Sequence, residues 1–424
     1  MRDMKIALMT NNYKPIVGGV PISIERLASG LKALGHDVTI FAPTYEGVGE
    51  EEGVFRYKTL IKEFKGGIVF PNSLDPAIER EFKNGHYDVI HVHHPVLIGN
   101  TAVYLSKKYN IPLTFTYHTR YEQYLSYANA IKRLDTLSAH DGPIGSTAKN
   151  IRRFINESMV PSYIRSFSKK CDCVFAPTPG MKEYLNLDCK VNEEKLRVLP
   201  TGLEETEYSP EKEKIKSIRS RYIKNGEFLF TSVSRISQEK NIDFLLDAVE
   251  CLKKKTQIPF RLLMLGDGPE RERYEAEVNK RGLTEVIFLG KVDNSEVKNY
   301  CAASDAFLFA SKSETQGIVI LEALAVSVPV IAVKATGVED VVEDGENGIL
   351  TNEDVEEFSS RLYSFMRGDI NIDLMEQKAL DTAIKYKEEK VAFAAANAYK
   401  AAINLRRYMT GRKSNGQKLL HIAG

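Results

Sequence analysis

Two glutamates, Glu314 and Glu322, stand with seven residues between them, soon after the apolar run Ala306–Phe309. The segment Ser313-Glu314-Thr315-Gln316-Gly317-Ile318-Val319-Ile320-Leu321-Glu322 reads as a loop that turns into a helix. If that helix begins near Gly317, Glu322 falls on its second turn and Glu314 in the loop before it. Carboxylates accept strong, charge-assisted hydrogen bonds, so the two can grip two hydroxylated parts of one ligand. The N–H groups of Gly317, Ile318 and Val319 lack helical partners and suit a phosphate lying between. The plain alternative is an acidic loop followed by an ordinary helical glutamate.

Three further segments have the same form, an apolar run followed by a turn. Ser234-Arg235-Ile236-Ser237-Gln238-Glu239-Lys240-Asn241 follows Phe228–Val233, and its Arg235 and Lys240 flank the opening of a helix. Two cations beside a helix start form a good site for a diphosphate, though solvated surface charges would look alike. Gly266-Asp267-Gly268-Pro269 follows Leu262–Leu265, and glycines there permit close backbone approach. Near the start, Asn11–Val20 carries Gly18-Gly19 ahead of a helical pattern. That loop lacks the Gly-Lys-Ser/Thr of a nucleotide-phosphate loop and the third glycine of the dinucleotide fingerprint.

The elements that must position these residues alternate regularly. Lys5–Met9, Val38–Ala42, Val89–Val92, Leu113–Tyr117 and Cys173–Ala176 are expected strands. Ile24, Leu27, Ala28, Leu31 and Leu34 repeat at helical spacing between the first two, with Gly35 as a stop. After the polar stretch 204–216 the alternation restarts with Phe228–Val233, Leu262–Leu265, Val286–Leu289, Ala306–Phe309 and Val330–Val333. Strand, helix, strand is the unit of a parallel sheet covered on both faces. The chain is therefore expected to be α/β, with two similar Rossmann-like domains in tandem, a first at 1–203 and a second at 204–385. Ligands of such sheets bind beyond the carboxyl ends of their strands, here across a shared cleft. A tail at 411–424 is expected to be loose.

Composition narrows the function classes. The 424 residues, 43% hydrophobic and 27% charged, suffice for large cores. A formal net charge of +1 argues against a general nucleic-acid binder. Five cysteines in a long chain suit a reducing compartment, with Cys171 and Cys173 too close for a zinc knuckle. No apolar run reaches the ~18 residues of a membrane span, and no signal-peptide core is present, so a cytoplasmic location is expected. His91, His93 and His94 cluster after Val89–Val92, but no nearby cysteine completes a metal set; His93 and His94 are read as loop residues lining an acceptor cleft.

Taken together and in order, Gly18-Gly19-Val20, His118, Arg235 with Lys240, Gly266-Asp267-Gly268-Pro269 and Glu314 to Glu322 resemble the retaining glycosyltransferases of family 4. The resemblance covers nearly the whole chain and implies the GT-B architecture, with a C-terminal helix at about 386–410 returning to complete the first domain. It implies that the first domain holds the acceptor and the second the nucleotide sugar. Arg235 and Lys240 would hold the donor diphosphate, Glu314 the hydroxyls of the transferred sugar, and Glu322 the ribose. Gly19 would lie near the donor phosphates or the acceptor, Gly266 and Gly268 by the donor, Gly317, Ile318 and Val319 would supply backbone donors, and His118 would approach the sugar near its reacting carbon. Neither metal nor cofactor is implied, and no nucleic-acid partner is expected.

Residues 18–27 and 117–124 further resemble the bacterial diacylglycerol glucosyltransferases, which act on UDP-glucose. That implies a lipid acceptor, with Val20, His93, His94, Tyr121 and Tyr124 as acceptor-side candidates, and peripheral attachment to the inner face of the cell membrane. The segment 121–170 carries Tyr124, Leu125, Tyr127, Ile131, Leu134, Ile151, Phe154, Ile155 and Ile164 among cations. Apolar residues with interleaved cations suit an interfacial helix on anionic lipid, and equally a helix covering the sheet. Soluble or polysaccharide acceptors, a UDP-sugar epimerase and an inactive sugar-nucleotide-binding protein remain alternatives. Oligomeric state is not legible.

Overall fold

The computed structural model describes residues 3–64, 68–121, 149–151, 153–224 and 226–422, with only the backbone described at 62–64, 68 and 411–422. The chain divides into two compact units. Met1–Gly202 together with Glu388–Gly424 forms one, and Leu203–Lys387 the other.

The first unit is built on a seven-stranded parallel sheet. Its strands are β1 (Lys5–Met9), β2 (Asp37–Pro43), β3 (Val54–Tyr57), β6 (Val89–Val92), β7 (Leu113–Thr116), β8 (Cys173–Ala176) and β9 (Leu196–Val198), in the order β3-β2-β1-β6-β7-β8-β9. Between β3 and β6 lies a separate antiparallel hairpin, β4 (Thr59–Phe64) and β5 (Ile68–Pro71). Ile6, Leu8, Val89, Val92 and Phe115 are fully buried, because helices cover both faces and each strand must be apolar on both. One helix, Gly19–Ala33, packs against the long C-terminal helix Glu388–Ile422. The approach is close: a Cβ on Gly30 would stand 2.7 Å from the Ala392 Cβ. Tyr399 of the returning helix is buried, and Arg406 reaches Asp172 at 2.5 Å. The expected loose tail, 411–424, lies outside the residues whose side chains are described.

The second unit repeats the plan with six parallel strands. They are β10 (Phe228–Val233), β11 (Phe260–Leu265), β12 (Val286–Gly290), β13 (Ala306–Phe309), β14 (Val330–Val333) and β15 (Gly348–Thr351), in the order β12-β11-β10-β13-β14-β15. The order reverses beside β10, whose neighbours are β11 and β13. A chain leaving β10 and a chain leaving β13 therefore emerge side by side, which is where open α/β sheets bind ligands. The segments that follow these two strands are Ser234–Asn241 and Ala310–Gly317.

The strands expected from the apolar runs are present, with ends shifted by at most two residues. Five short strands lie outside those runs: β3, β9 and β15 complete the two large sheets, and β4 and β5 form a separate two-stranded element.

Candidate active site

In the second unit, the loop after β10 is held by its neighbours' backbone. Ser234 N donates to Leu265 O at 3.0 Å, and Ile236 N to Asp267 O at 3.0 Å. The glycines of Gly266-Asp267-Gly268-Pro269 make this contact possible. A Cβ on Gly266 would stand 1.9 Å from Ser234 O, and one on Gly268 would stand 2.2 Å from Ile236 O. Gly266 also sits at φ +125°, a conformation L side chains avoid. The sequence reading gave these glycines to the donor; their Cβ positions face the backbone on either side of Arg235, so they also set that residue's loop. Arg235 itself is exposed, and its guanidinium has no ion pair among the described residues.

Lys240 and Glu314 meet. Lys240 Nζ lies 2.5 Å from Glu314 Oε1, and both side chains are 20% exposed. Ser311 Oγ donates to the same oxygen at 2.8 Å. Burial alone would push the Glu314 carboxyl up; the Lys240 ammonium and the hydrogen bonds from Lys240 and Ser311 outweigh it, and the net displacement is downward. Glu314 is thus a carboxylate at neutral pH. Asn241 ends the Lys240 turn at φ +56° and bonds Ala310 O through Nδ2 at 3.3 Å, tying the two strand-end segments together.

Gly317, at φ +71°, caps the helix Ile318–Ala325. The amides of Ile318 and Val319 lie in its first turn, where no helical carbonyl is in reach. Glu322 is buried on the second turn, 9% exposed. The sequence placed Glu314 and Glu322 correctly on loop and helix. It missed Ser311, Asn241 and Gly337. A Cβ on Gly337 would lie 2.8 Å from Glu314 O, so this glycine lets the next loop pack on the Glu314 backbone. A serine three residues before a glutamate was a signal that could have been used; the glycine's partner lies too far along the chain to be seen.

In the first unit, the loop after β1 is pinned at both ends. Arg56 Nη1 donates to Lys14 O at 2.9 Å, and Asn11 Nδ2 to Val96 O at 3.1 Å. Gly18 is extended, at φ 170°, and no protein atom lies within 4 Å of where its Cβ would stand. Packing makes no demand for glycine there. Gly19 is the first residue of the following helix and Val20 is half-buried within it.

The histidines of this unit stack. The His91 and His93 rings lie 4.3 Å apart at 25°, and His93 and His118 lie 5.1 Å apart at 21°. His93 Nδ1 and His118 Nε2 are 2.8 Å apart. His94 Nδ1 accepts from Asn11 N at 3.2 Å. Burial pulls His91 down to about 3 and His94 to about 4, and it pulls His93 and His118 well below the usual imidazole range. All four are neutral at pH 7. Among the described residues, no three His, Cys, Asp or Glu side chains are placed to hold a metal ion. His93 is 1% exposed, so it is buried in the first unit and does not line a surface as the sequence reading expected. Tyr121 packs on Tyr117 at 5.9 Å, while Tyr124 lies outside the described residues.

Of the apolar residues read as membrane-facing, Ile164 is buried in the core and Ile155 packs against it, because Val160–Lys170 covers the sheet. Ile151 and Phe154 are exposed, and Tyr124, Leu125, Tyr127, Ile131 and Leu134 lie outside the described residues.

Residues 17–207 match the family described as Glycosyltransferase Family 4, and residues 213–385 match Glycosyl transferases group 1. The alpha-monoglucosyldiacylglycerol synthase of Streptococcus pneumoniae is 33% identical over 82% of this chain and 75% of its own length. The enzyme of the same name from Acholeplasma laidlawii is 29% identical over 83% of this chain and 86% of its own. Among solved structures, Anabaena HepE in complex with UDP superposes with a TM-score of 0.70 at 18% identity, covering 94% of this chain and 100% of that one. With two parallel Rossmann-like sheets, both strand-end motifs in place and relatives at this level over most of its length, the chain belongs to glycosyltransferase family 4 and has the GT-B fold.

Proposed function

We propose that this glycosyltransferase moves glucose from UDP-glucose to a lipid acceptor such as 1,2-diacylglycerol, with retention at the anomeric carbon and no metal. The observation that carries the reading is the strand-end array of the second unit: Arg235, the Lys240–Glu314 pair at 2.5 Å and the first turn beyond Gly317. Cations and unpaired amides suit a diphosphate; carboxylates suit sugar and ribose hydroxyls. HepE, solved with UDP, and the two diacylglycerol-linked relatives support the donor and acceptor classes.

Arg235 and Lys240 neutralise the departing phosphate, Glu314 holds hydroxyls of the transferred sugar, and Glu322 holds the ribose. Ile318 and Val319 offer amides. In a front-face substitution, the anomeric carbon–phosphate bond breaks as the bond to the acceptor oxygen forms on the same side. The acceptor's proton passes to the phosphate oxygen that leaves with UDP. The rate comes chiefly from electrostatic stabilisation of that leaving group.

A lipid acceptor requires a surface that meets a membrane. No helix among the described residues is long and apolar enough to cross one, so attachment would be peripheral. Phe154, 62% exposed, Met159, 48%, and Tyr163 stand out from the first unit beside Arg153 and Arg165, which are exposed too. Tyr163 Oη donates to Pro95 O at 2.9 Å, and Val96 beside it is exposed. Apolar side chains among cations suit an anionic leaflet, here the inner face of the cell membrane.

The test is to incubate the protein with a panel of UDP- and GDP-sugars, with and without vesicles containing diacylglycerol. UDP release from UDP-glucose that depends on those vesicles is expected. Release stimulated only by a water-soluble acceptor would overturn the lipid reading.

A further inference from the structure

We propose that Glu314 is a specificity-determining residue for the nucleotide: its charge, held against Lys240, weakens binding of a bare nucleoside diphosphate and is offset only when the diphosphate carries a sugar. The spent nucleotide is thereby shed. The proposal rests on the reading of Lys240 as a diphosphate contact and of Glu314 as a sugar contact.

The geometry bounds how far a phosphate can stay from that charge. Lys240 Nζ lies 2.5 Å from Glu314 Oε1. A charge-assisted hydrogen bond from Nζ to a phosphate oxygen spans about 2.8 Å. With the pair intact, that oxygen lies no more than about 5.3 Å from Oε1, whatever its direction of approach. The ammonium and the carboxylate are each only 20% exposed, so water screens the repulsion poorly. If instead the pair opens to admit the phosphate, a largely buried carboxylate is left without its cation. Either course weakens binding, and both penalties come from the charge on Glu314.

That charge is fixed in place and present at neutral pH. Ser311, 1% exposed, donates to Oε1 at 2.8 Å. Burial pushes the carboxyl up, but the Lys240 ammonium and the hydrogen bonds from Lys240 and Ser311 outweigh it, so the acid stays ionised.

The two nucleotides meet the carboxylate differently. A terminal phosphate loses its second proton near pH 6, so free UDP carries more negative charge than UDP-glucose at neutral pH. Its phosphate end also has no hydroxyl to donate to Glu314. UDP-glucose carries sugar hydroxyls there, and their hydrogen bonds to a carboxylate are stronger than to a neutral acceptor. Repulsion is therefore largest for the product and compensated for the substrate.

The test is calorimetric titration of the full chain with UDP and with UDP-glucose at pH 7.5, without acceptor. Glu314→Gln removes the charge and keeps the shape; Glu314→Asp keeps the charge and can still pair with Lys240. Both are checked for folding by circular dichroism. Glu314→Gln should bind UDP at least about tenfold more tightly than wild type, and UDP-glucose no more tightly. Glu314→Asp should stay within about threefold of wild type for UDP. The wild type itself should bind UDP-glucose at least as tightly as UDP, despite the greater charge of UDP. No gain for UDP in Glu314→Gln, an equal gain for both ligands, or a larger gain in Glu314→Asp would overturn the proposal, as would a wild type that prefers UDP by about tenfold. If the wild type binds neither ligand, the donor reading fails and takes the proposal with it. If it binds both and Glu314→Gln leaves the ratio of affinities unchanged, the proposal alone fails.

Discussion

Lys240 Nζ and Glu314 Oε1 lie 2.5 Å apart, although 73 residues separate them, because β10 and β13 are neighbours in one sheet. An ammonium and a carboxylate are thereby held as one unit, with Ser311 Oγ donating to the same carboxylate oxygen at 2.8 Å.

Breaking that pair from one side leaves a largely buried charge. Lys240→Met should destabilise the protein by about 1–3 kcal/mol in urea unfolding. Adding Glu314→Gln should restore most of that loss, since the two effects are coupled. Turnover should stay down at least about 100-fold in both variants. A double variant no more stable than Lys240→Met would show that the pair is not what the unfolding measures.

The same pair sets a pH signature. The Glu314 carboxyl is displaced downward from its ordinary value of 4.5, so its stabilisation is full above that value and is lost as pH falls through the depressed one. The stability gap between wild type and Glu314→Gln should therefore be flat from about pH 5.5 to 8 and narrow only below about 4.5. A gap that shrinks already between pH 6 and 7 would mean the carboxyl is raised instead.

The glycines beside Arg235 give a steric prediction. Gly266→Ala places a Cβ 1.9 Å from Ser234 O, and Gly268→Ala places one 2.2 Å from Ile236 O. Neither backbone can yield, so each should cost more than about 2 kcal/mol and reduce turnover with it. Gly282→Ala is the control: its φ is +62°, but nothing lies within 4 Å, and only about 1 kcal/mol is expected. Thermal unfolding of the three variants reads the difference.

How much of this was legible in the sequence depends on length and separation. β8, β13 and β14 were readable because both faces are buried and the runs are continuously apolar, and β6 and β10 because their few polar residues, His91, Thr231 and Ser232, sit within otherwise apolar runs. Val54–Tyr57 was not, because three of its four residues are only half-buried and Arg56 interrupts the run. Leu196–Val198 exposes two of its three residues at the sheet edge. The Glu314–Glu322 geometry was visible because helix spacing is local. The His93–His118 contact was not, since it needs the adjacency of β6 and β7, which topology alone supplies. Ile164 misled for a related reason: an amphipathic helix over a sheet and one on a membrane have the same periodicity.

For the membrane surface, Phe154→Ser with Met159→Ser should weaken binding to anionic vesicles by at least about tenfold, as removal of inserted apolar area requires. Both side chains are exposed, so unfolding should shift by no more than about 0.5 kcal/mol. Vesicle co-sedimentation unchanged by the double substitution would move the lipid contact elsewhere.

The central claim is that the second unit clasps a diphosphate, and calorimetric titration with UDP and with uridine tests it most directly. Arg235 is exposed and unpaired among the described residues, so Arg235→Ala should leave the fold intact and bear only on the ligand. The variant should bind UDP at least about tenfold more weakly while its affinity for uridine is unchanged, because the lost charge meets only the phosphates. Equal affinity of wild type and variant for UDP, or an equal loss for both ligands, would contradict the account.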